Sequence, residues 1–399
     1  MPNGWQIVPL RQVCERVRDK NSAGVDRVLS VVAGRGLVEQ EKYFNRRVAA
    51  KNLSGYTVCK PGDLVYNKSY SATAPWGVVA LNRGSHAGVV SPLYIVFRPS
   101  DSSVDGQFLE LAATSVTTTH SLAGLVKEGG RAHGGINISL DDFFSVLLPL
   151  PSIDEQRRIV DLVASIDSCI DRLQTQAEAT RAARSALLSE LLSRSSDDWQ
   201  ETTLGELANW FSGGTPKSTN ETFYRDGTIR WAVIADLLND PVVETARQIS
   251  EAGLAAIGGR LAPAGSVLVS MYGTIARTAI AGVPLATNQA IAWAEPHADV
   301  CHSAFLRLLI DHLRPEFERA SRGAAQKNIN RGMIRNAAVT LPPLAGQRRI
   351  LDLIDAFDGQ VESLQSQVLK ARSFRDAAVS ELLSGERLLD DSYDVKVSL

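Results

Sequence analysis

Apolar residues recur at seven-residue spacing in two long stretches of this chain. In the first, Ile159, Ile166, Leu173 and Leu187 fall at one heptad position, with Leu162, Val163, Ile170 and Leu191 beside them. In the second, Ile350, Phe357 and Leu364 occupy that position, with Leu353, Ile354, Val361 and Leu382 alongside. The spacing predicts two amphipathic helices, and Gln176, Thr180, Gln360 and Gln367 interrupt the stripe, as in an imperfect coiled-coil seam. Each helix would run roughly 55 to 60 Å at ~1.5 Å per residue. One small domain cannot bury that length, so the two helices are expected to pack on each other.

The two stretches are copies. Gln156–Ser193 and Gln347–Ser384 share 18 identities in 38 positions at a constant offset of 191 residues, where average composition gives roughly one in fifteen. The repeat extends beyond the helices. Trp5, Gln6 and Leu10 open the first half as Trp199, Gln200 and Leu204 open the second. The repeat unit is therefore a globular domain followed by a helix. The predicted class is α+β: two similar domains separated by two long antiparallel helices, related by an approximate two-fold axis. The expected boundaries are a first domain over 1–149, a first spacer helix over 150–195, a second domain over 196–340, a second spacer helix over 341–385 and a flexible tail over 386–399.

Within the domains the pattern shortens to strands and turns. Lys60-Pro61-Gly62-Asp63 is a turn, after which Leu64-Val65-Tyr66 reads as a buried strand that delivers Asn67, Lys68, Ser69 and Tyr70. Gly88–Arg98 has the β-branched and aromatic richness of one or two strands broken at Pro92. Phe143–Leu150 is an apolar run that leads into the first long helix. In the second half Thr228–Ile234 is a strand candidate, and Val267-Leu268-Val269 presents Ser270, Met271, Tyr272, Gly273 and Thr274. Each domain closes with a glycine- or alanine-bearing basic loop, Lys127–Ser139 and Ser321–Arg331, aligned at the same offset.

Composition narrows the function by exclusion. Apolar residues at 44% and charged residues at 22% are ordinary for a globular protein. No run of eighteen apolar residues exists, and Met1–Leu10 lacks the pattern of a signal peptide, so a cytoplasmic location and no membrane partner are expected. The net charge of −2 argues against a protein that coats nucleic acid indiscriminately, though not against local basic patches.

No catalytic or metal-binding pattern emerges. The four cysteines form no CxxC pair, and the six histidines show no ligand spacing. Gly213-Gly214-Thr215-Pro216-Lys217 lacks the glycine spacing and Gly-Lys pair of a phosphate loop. Neither a GxSxG elbow nor a dinucleotide fingerprint is present. Asp141-Asp142 and Asp197-Asp198 read as helix entries, where carboxylates favour the dipole.

The positive signal is a set of loops mixing Lys or Arg with amide, hydroxyl and aromatic side chains, which suits phosphate positioning and base-edge readout. The order of these loops resembles the specificity subunits of type I restriction-modification enzymes. The likeness rests on Gly62–Ser71 and Gly88–Tyr94 in the first half. In the second it rests on Ser212–Pro216, Ser270–Thr274, Thr287–Ala290 and Gln326–Ile329. Leu150-Pro151 and Leu341-Pro342, ahead of Gln156 and Gln347, complete it.

The resemblance implies two target-recognition domains, each reading one half of a bipartite double-stranded DNA site. The helices would fix the gap and dock two methyltransferase subunits. Restriction and translocase subunits would join the full complex. S-adenosylmethionine, ATP and Mg are expected on those partners and no cofactor on this chain. The chain departs from the family pattern at Arg131-Ala132-His133-Gly134-Gly135, and Ala345-Gly346 stands where the first helix has Asp154-Glu155.

The expected DNA contacts are Lys68, Tyr70, Lys127, Arg131, His133 and Asn137 in the first domain. In the second they are Lys217, Tyr272, Thr274, Arg277, Arg322, Gln326 and Lys327. Helix packing and partner docking are expected of Ile159, Ile166, Leu173, Leu187, Ile350, Phe357 and Leu364. Two readings from other classes stand beside this one: a protein-interaction scaffold, and a nuclease with an unrecognised site.

Overall fold

In the computed structural model, the strand that follows Trp5 closes on the strand that runs into the first long helix. The structure describes residues 4–69, 75–126, 136–193, 198–322, 328–387 and 389, without the side chains of Val116 and Arg322. The chain divides into two compact units, Met1–Gln174 with Ser366–Leu399, and Thr175–Gln365. Each unit is therefore one domain with a stretch of both long helices.

In the first unit, β1 (Gln6–Pro9) is followed by a single turn, α1 (Leu10–Val13), and β2 (Cys14–Arg16). A hairpin, β3 (Leu29–Val32) and β4 (Gly36–Glu39), leads into α2 (Gln40–Phe44). β5 (Thr57–Cys59), β6 (Leu64–Asn67), β7 (Val78–Leu81), β8 (Gly88–Val90) and β9 (Ile95–Pro99) follow. Two helices, α3 (Gly106–Ala112) and α4 (Val116–Leu125), come next, then α5 (Leu140–Ser145), β10 (Leu147–Leu150) and the long α6 (Ile153–Ser193). The main sheet is antiparallel in the order β2-β9-β6-β7, and β1 pairs with β10, Gln6 opposite Leu150. Leu64, Tyr66, Phe97, Leu109 and Phe143 fill the core between sheet and helices.

The second unit uses the same plan. β11 (Gln200–Thr203) pairs with β19 (Ala338–Leu341), Gln200 opposite Leu341, just ahead of α10 (Leu344–Ser384). The main sheet runs β12 (Ala208–Ser212), β18 (Ile291–Pro296), β15 (Val267–Ser270), β16 (Thr278–Ile280), again antiparallel throughout. A small sheet of β13 (Ile229–Ala232), β14 (Gln248–Ile249) and β17 (Ala286–Thr287) flanks it. The helices are α7 (Glu251–Ala256), α8 (Ser303–Arg322) and α9 (Arg331–Arg335).

The expected strands at 64–66, 88–98 and 267–269 form, the second split at Pro92 as its break predicts, while the 228–234 run is a strand only over Ile229–Ala232 and passes into a 3-10 turn at Ile234. Three other expectations shift. The 143–150 run is half helix and half strand, because Ser139 caps α5 by accepting from the Asp142 N–H. Asp141 and Asp142 occupy that first turn, whereas Asp198 precedes a strand, β11, rather than a helix. The helices α3, α4 and α8 were not anticipated from periodicity.

The third shift concerns the heptads. The deepest seam begins at the repeated glutamine: Gln156, Val163, Ile170 and Ala177 on α6, and Gln347, Ile354, Val361 and Val368 on α10, are all buried. Ile159, Ile350 and Leu364 are buried too, while Ile166, Leu173, Leu187 and Phe357 are half-buried flanks and Leu353 is exposed. Within the first unit the two helices are antiparallel. Ile159, Val160 and Val163 cluster with Val379, Leu382 and Leu383, and Asp167 pairs with Arg375 at 2.7 Å. In the second, Leu188 shares a core with Ile350 and Ile354, and Arg184 meets Asp358 at 2.6 Å.

A polar side chain at full burial needs every hydrogen bond it can make, and both glutamines have them. The Gln156 Oε1 accepts from the Asp105 N–H (2.8 Å), and its Nε2 donates to the carbonyls of Ser103 (3.1 Å) and Pro151 (3.0 Å). The Gln347 Oε1 accepts from the His302 N–H (3.0 Å), and its Nε2 donates to Val300 (2.8 Å) and Pro342 (3.0 Å). Each amide thus ties the start of a long helix to the loop ahead of its domain's first substantial helix, α3 or α8.

Candidate nucleic-acid interface

Antiparallel order decides which loops meet. In the second unit the C-terminal ends of β12 and β15 and the N-terminal end of β18 lie together, since Ser212 pairs with Ala292 and Ser270 with Ile291. That end gathers the loops 213–219, 271–277 and 288–290. The Ile329 N–H donates to the Met271 carbonyl at 3.1 Å, so the closing loop joins them. Lys217, Tyr272, Thr274 and Arg277 stand on these loops.

The Tyr272 turn is built from within. Ser270 is fully buried; its hydroxyl donates to the Thr274 carbonyl and accepts from the Arg277 N–H (2.9 Å). The Ala276 N–H donates to the Ser270 carbonyl (2.9 Å). Tyr272 and Thr274 are exposed and Arg277 is half-buried, so a turn with a satisfied interior holds three different side chains outward.

The first unit repeats the arrangement on β2, β6 and β9, with Tyr66 opposite Ile95 and Arg16 opposite Phe97. Here the Ile136 N–H donates to the Lys68 carbonyl (2.8 Å), tying the closing loop to the residue after β6. Asn137 beside it is exposed, and Lys68 is half-buried. The chain re-enters the sheet at Gly77, where φ is +79° and a Cβ would lie 2.5 Å from the Asn67 carbonyl, so only glycine fits. Tyr70, Lys127, Arg131, His133, Gln326 and Lys327 lie outside the described residues, as does the Arg322 side chain.

Sequence reasoning missed a cleft of about 240 Å³ behind the Gly213-Gly214 loop, lined by Phe211, Arg260, Thr287, Trp293 and Arg331 among others. Its lining holds two arginines and no carboxylate. Phe211 stacks on Trp293 with centroids 4.2 Å apart, and the Arg260 guanidinium sits 4.9 Å over the Phe211 ring. Chemically this suits an anion, because guanidinium groups match the oxygens of a phosphate. The loop itself is not a phosphate cradle: the Gly213 and Gly214 N–H groups donate to the carbonyls of Ile291 (3.1 Å) and Thr287 (2.9 Å). A Cβ on Gly213 would come within 2.2 Å of the Thr287 carbonyl, which fixes the residue as glycine. The sequence signal for Arg331 was its place in the closing loop; for Arg260, outside every repeated motif, there was none.

Burial pushes the thiols of Cys14, Cys59 and Cys301 up to about 12, which keeps them protonated. Among the described residues no group of three or more His, Cys, Asp or Glu is placed to hold a metal ion. No helix among them is long and apolar enough to cross a membrane.

Comparison with known proteins agrees with this geometry. Residues 196–371 match the family model for the Type I restriction modification DNA specificity domain. The specificity subunit of the type I restriction enzyme EcoR124I/EcoR124II of Escherichia coli is 23% identical over 222 residues, 54% of this chain and 55% of that one, so the match spans about half the relative's length. A putative type I restriction enzyme specificity subunit, MjaX, of Methanocaldococcus jannaschii is 18% identical over 97% of this chain and 94% of its own.

Two solved structures share the fold. One, from work on complex assembly and conformational transition of the type I R-M system, has a TM-score of 0.67 at 20% identity and covers 96% of this chain and 98% of its own. The HsdS subunit from Thermoanaerobacter tengcongensis has a TM-score of 0.53 at 21% identity, covering 97% and 98%. Together these matches make the chain similar to the specificity subunits of type I restriction enzymes, with the DNA specificity domain model itself covering residues 196–371.

Proposed function

We propose that the two domains, 1–149 and 196–340, each read one half of a bipartite DNA target. In this reading the helices over 150–195 and 341–385 set the separation of the half-sites and dock two methyltransferase subunits. One observation carries it: the same strand-end platform occurs twice, on the same sheet order, with different side chains presented. A common scaffold with variable loops is what reading two different sequences requires.

The residues proposed to touch DNA remain Lys68, Tyr70, Lys127, Arg131, His133 and Asn137 in the first domain, and Lys217, Tyr272, Thr274, Arg277, Arg322, Gln326 and Lys327 in the second. Methyl transfer from S-adenosylmethionine, and ATP- and Mg-dependent translocation and cleavage, belong in this reading to partner subunits. The cytoplasm is the proposed location.

Methylome sequencing of cells carrying the system tests the reading most directly, since a bipartite motif gives both half-sites at once. Affinity of the assembled complex for cognate and scrambled duplexes, with Arg131→Ala and Lys327→Ala, tests the residues. Unchanged binding to both DNAs by both variants would remove them from the interface. Inserting about four residues, roughly one turn, at a helix end should change the preferred spacer; an unchanged spacer would mean that the helices are not the ruler.

A further inference from the structure

The first domain carries an exposed aromatic and cationic knuckle outside the loops assigned above. It spans the β3–β4 hairpin tip, α2 and the segment to Lys51. Tyr43, Phe44 and Val48 are 40%, 43% and 56% exposed, an unusual set of apolar side chains to leave in water on one short segment. The same segment carries Arg35, Lys42, Arg46, Arg47 and Lys51, against two carboxylates, Glu39 and Glu41. Both carboxylates are engaged, Glu39 with Arg27 (3.4 Å) and Lys42 (2.6 Å), Glu41 with Arg47 (3.8 Å). The segment thus keeps a surplus of positive charge.

The knuckle is also held in shape from beneath. Gln40 is buried; its Oε1 accepts from the N–H groups of Ala49 (2.7 Å) and Val48 (3.2 Å), and its Nε2 donates to the Ser30 hydroxyl (2.9 Å). Asn45 turns the chain in the left-handed region at φ 52°. Tyr43 and Phe44 meet edge to face at 4.8 Å, and the Arg35 guanidinium lies 5.7 Å from the Tyr43 centroid. An exposed apolar tip on a scaffold satisfied underneath is a presented surface rather than a loose loop.

We infer that this knuckle is a DNA contact of the first domain, Tyr43 and Phe44 packing against sugars and bases in a groove while Arg46 and Arg47 neutralise flanking phosphates. The inference rests on the DNA-reading function proposed above. Charge selects the partner, since a duplex offers phosphates to the cations and apolar surface to the rings, and aromatic wedges are a common means of groove binding. In the second domain the exposed apolar residues Leu238 and Val243 sit instead in a segment with Asp240 and Glu244, the opposite sign.

The test uses the full chain assembled with its own partner subunits, and a duplex bearing the site found by methylation mapping beside a scrambled duplex. The wild type comes first: without selective binding the DNA-reading function itself falls. Given selective binding, Arg46→Ala/Arg47→Ala should make the slope of log K against log salt shallower by about two. Arg46→Lys/Arg47→Lys should leave that slope intact. Tyr43→Ala/Phe44→Ala should weaken cognate binding about tenfold with the slope unchanged. All of these side chains are exposed, so the thermal midpoint should stay at the wild-type value. Wild-type affinity and slope in both alanine variants would overturn the inference alone, as would lost assembly with the methyltransferase subunits while assembled complexes bind DNA normally.

Discussion

The two domains agree in their hydrogen bonds and disagree in what they display. Both close a terminal strand onto the strand before the long helix, both order four antiparallel strands alike, and both fix the helix with a fully buried glutamine. Above that scaffold the first domain raises the Tyr43 knuckle and the second holds the Arg260 and Arg331 cleft. Buried amides tolerate little change because each unpaired group has a cost, whereas exposed side chains vary almost freely. The display is therefore free to diverge while the architecture stays fixed.

The sharpest way to break the comparison is at the glutamines. Gln156→Ala leaves the Asp105 N–H and the Ser103 and Pro151 carbonyls unpaired, and Gln347→Ala does the same to His302, Val300 and Pro342. With each buried orphan costing about 1 to 3 kcal/mol, either variant should lose roughly 3 kcal/mol or more in urea denaturation. Losses that differ severalfold between the two would show that the clamps are equivalent in geometry only.

Next in size come the displayed residues. Tyr272→Ala and Thr274→Ala should each cost about 1 to 3 kcal/mol on cognate DNA and little on scrambled DNA, if they read bases. If the cleft between Arg260 and Arg331 takes a backbone phosphate, Arg260→Ala and Arg331→Ala should instead weaken both DNAs alike and flatten the salt dependence. Titrations at three salt concentrations separate the two behaviours, and selective loss at Arg331 would move it among the base readers.

Ion pairs between the helices are a smaller test. Arg375 with Asp167 and Arg184 with Asp358 occupy corresponding places in the two units, and all four side chains are partly exposed. Solvent and side-chain entropy offset most of such a pair, so a double-mutant cycle at either should return about 0.5 to 1 kcal/mol. A coupling near 3 kcal/mol in only one unit would contradict the parallel.

What could be read from the chain follows the same division. The repeat and the heptads revealed the helices, because a seven-residue period over 41 residues is not diluted by any turn. The strand at Leu64 and the turn before it were legible from Lys60-Pro61-Gly62-Asp63. The role of Gln156 was not: in the chain it marks only the head of the repeat, and the carbonyls it serves, more than fifty residues away in sequence for Ser103, are brought to it by folding. The helix α8 escaped because Arg314, Pro315 and Glu316 break its apolar pattern. Arg260 and Phe211 are brought together only by tertiary folding, and no spacing rule could have paired them.

The smallest expected difference is in acid response. Burial holds the His312 imidazole below its ordinary range, with Glu316 opposing in part. The folded second unit therefore binds fewer protons there than the unfolded chain, so its stability is retained above the ordinary histidine pKa and falls as pH drops through the interval between the unfolded and folded values. In the first unit burial raises the Asp63 carboxyl despite its Arg98 partner, which works the other way: a penalty present at neutral pH is relieved as pH falls through the folded value. Urea midpoints from pH 7 to pH 5 should decline less in His312→Gln than in the wild type, and at lower pH Asp63→Asn should lack the relief that the wild type gains as its carboxyl takes up a proton. Identical pH profiles for wild type and His312→Gln would mean that the imidazole is solvated equally in both states, and that the second domain's acid response lies in other groups.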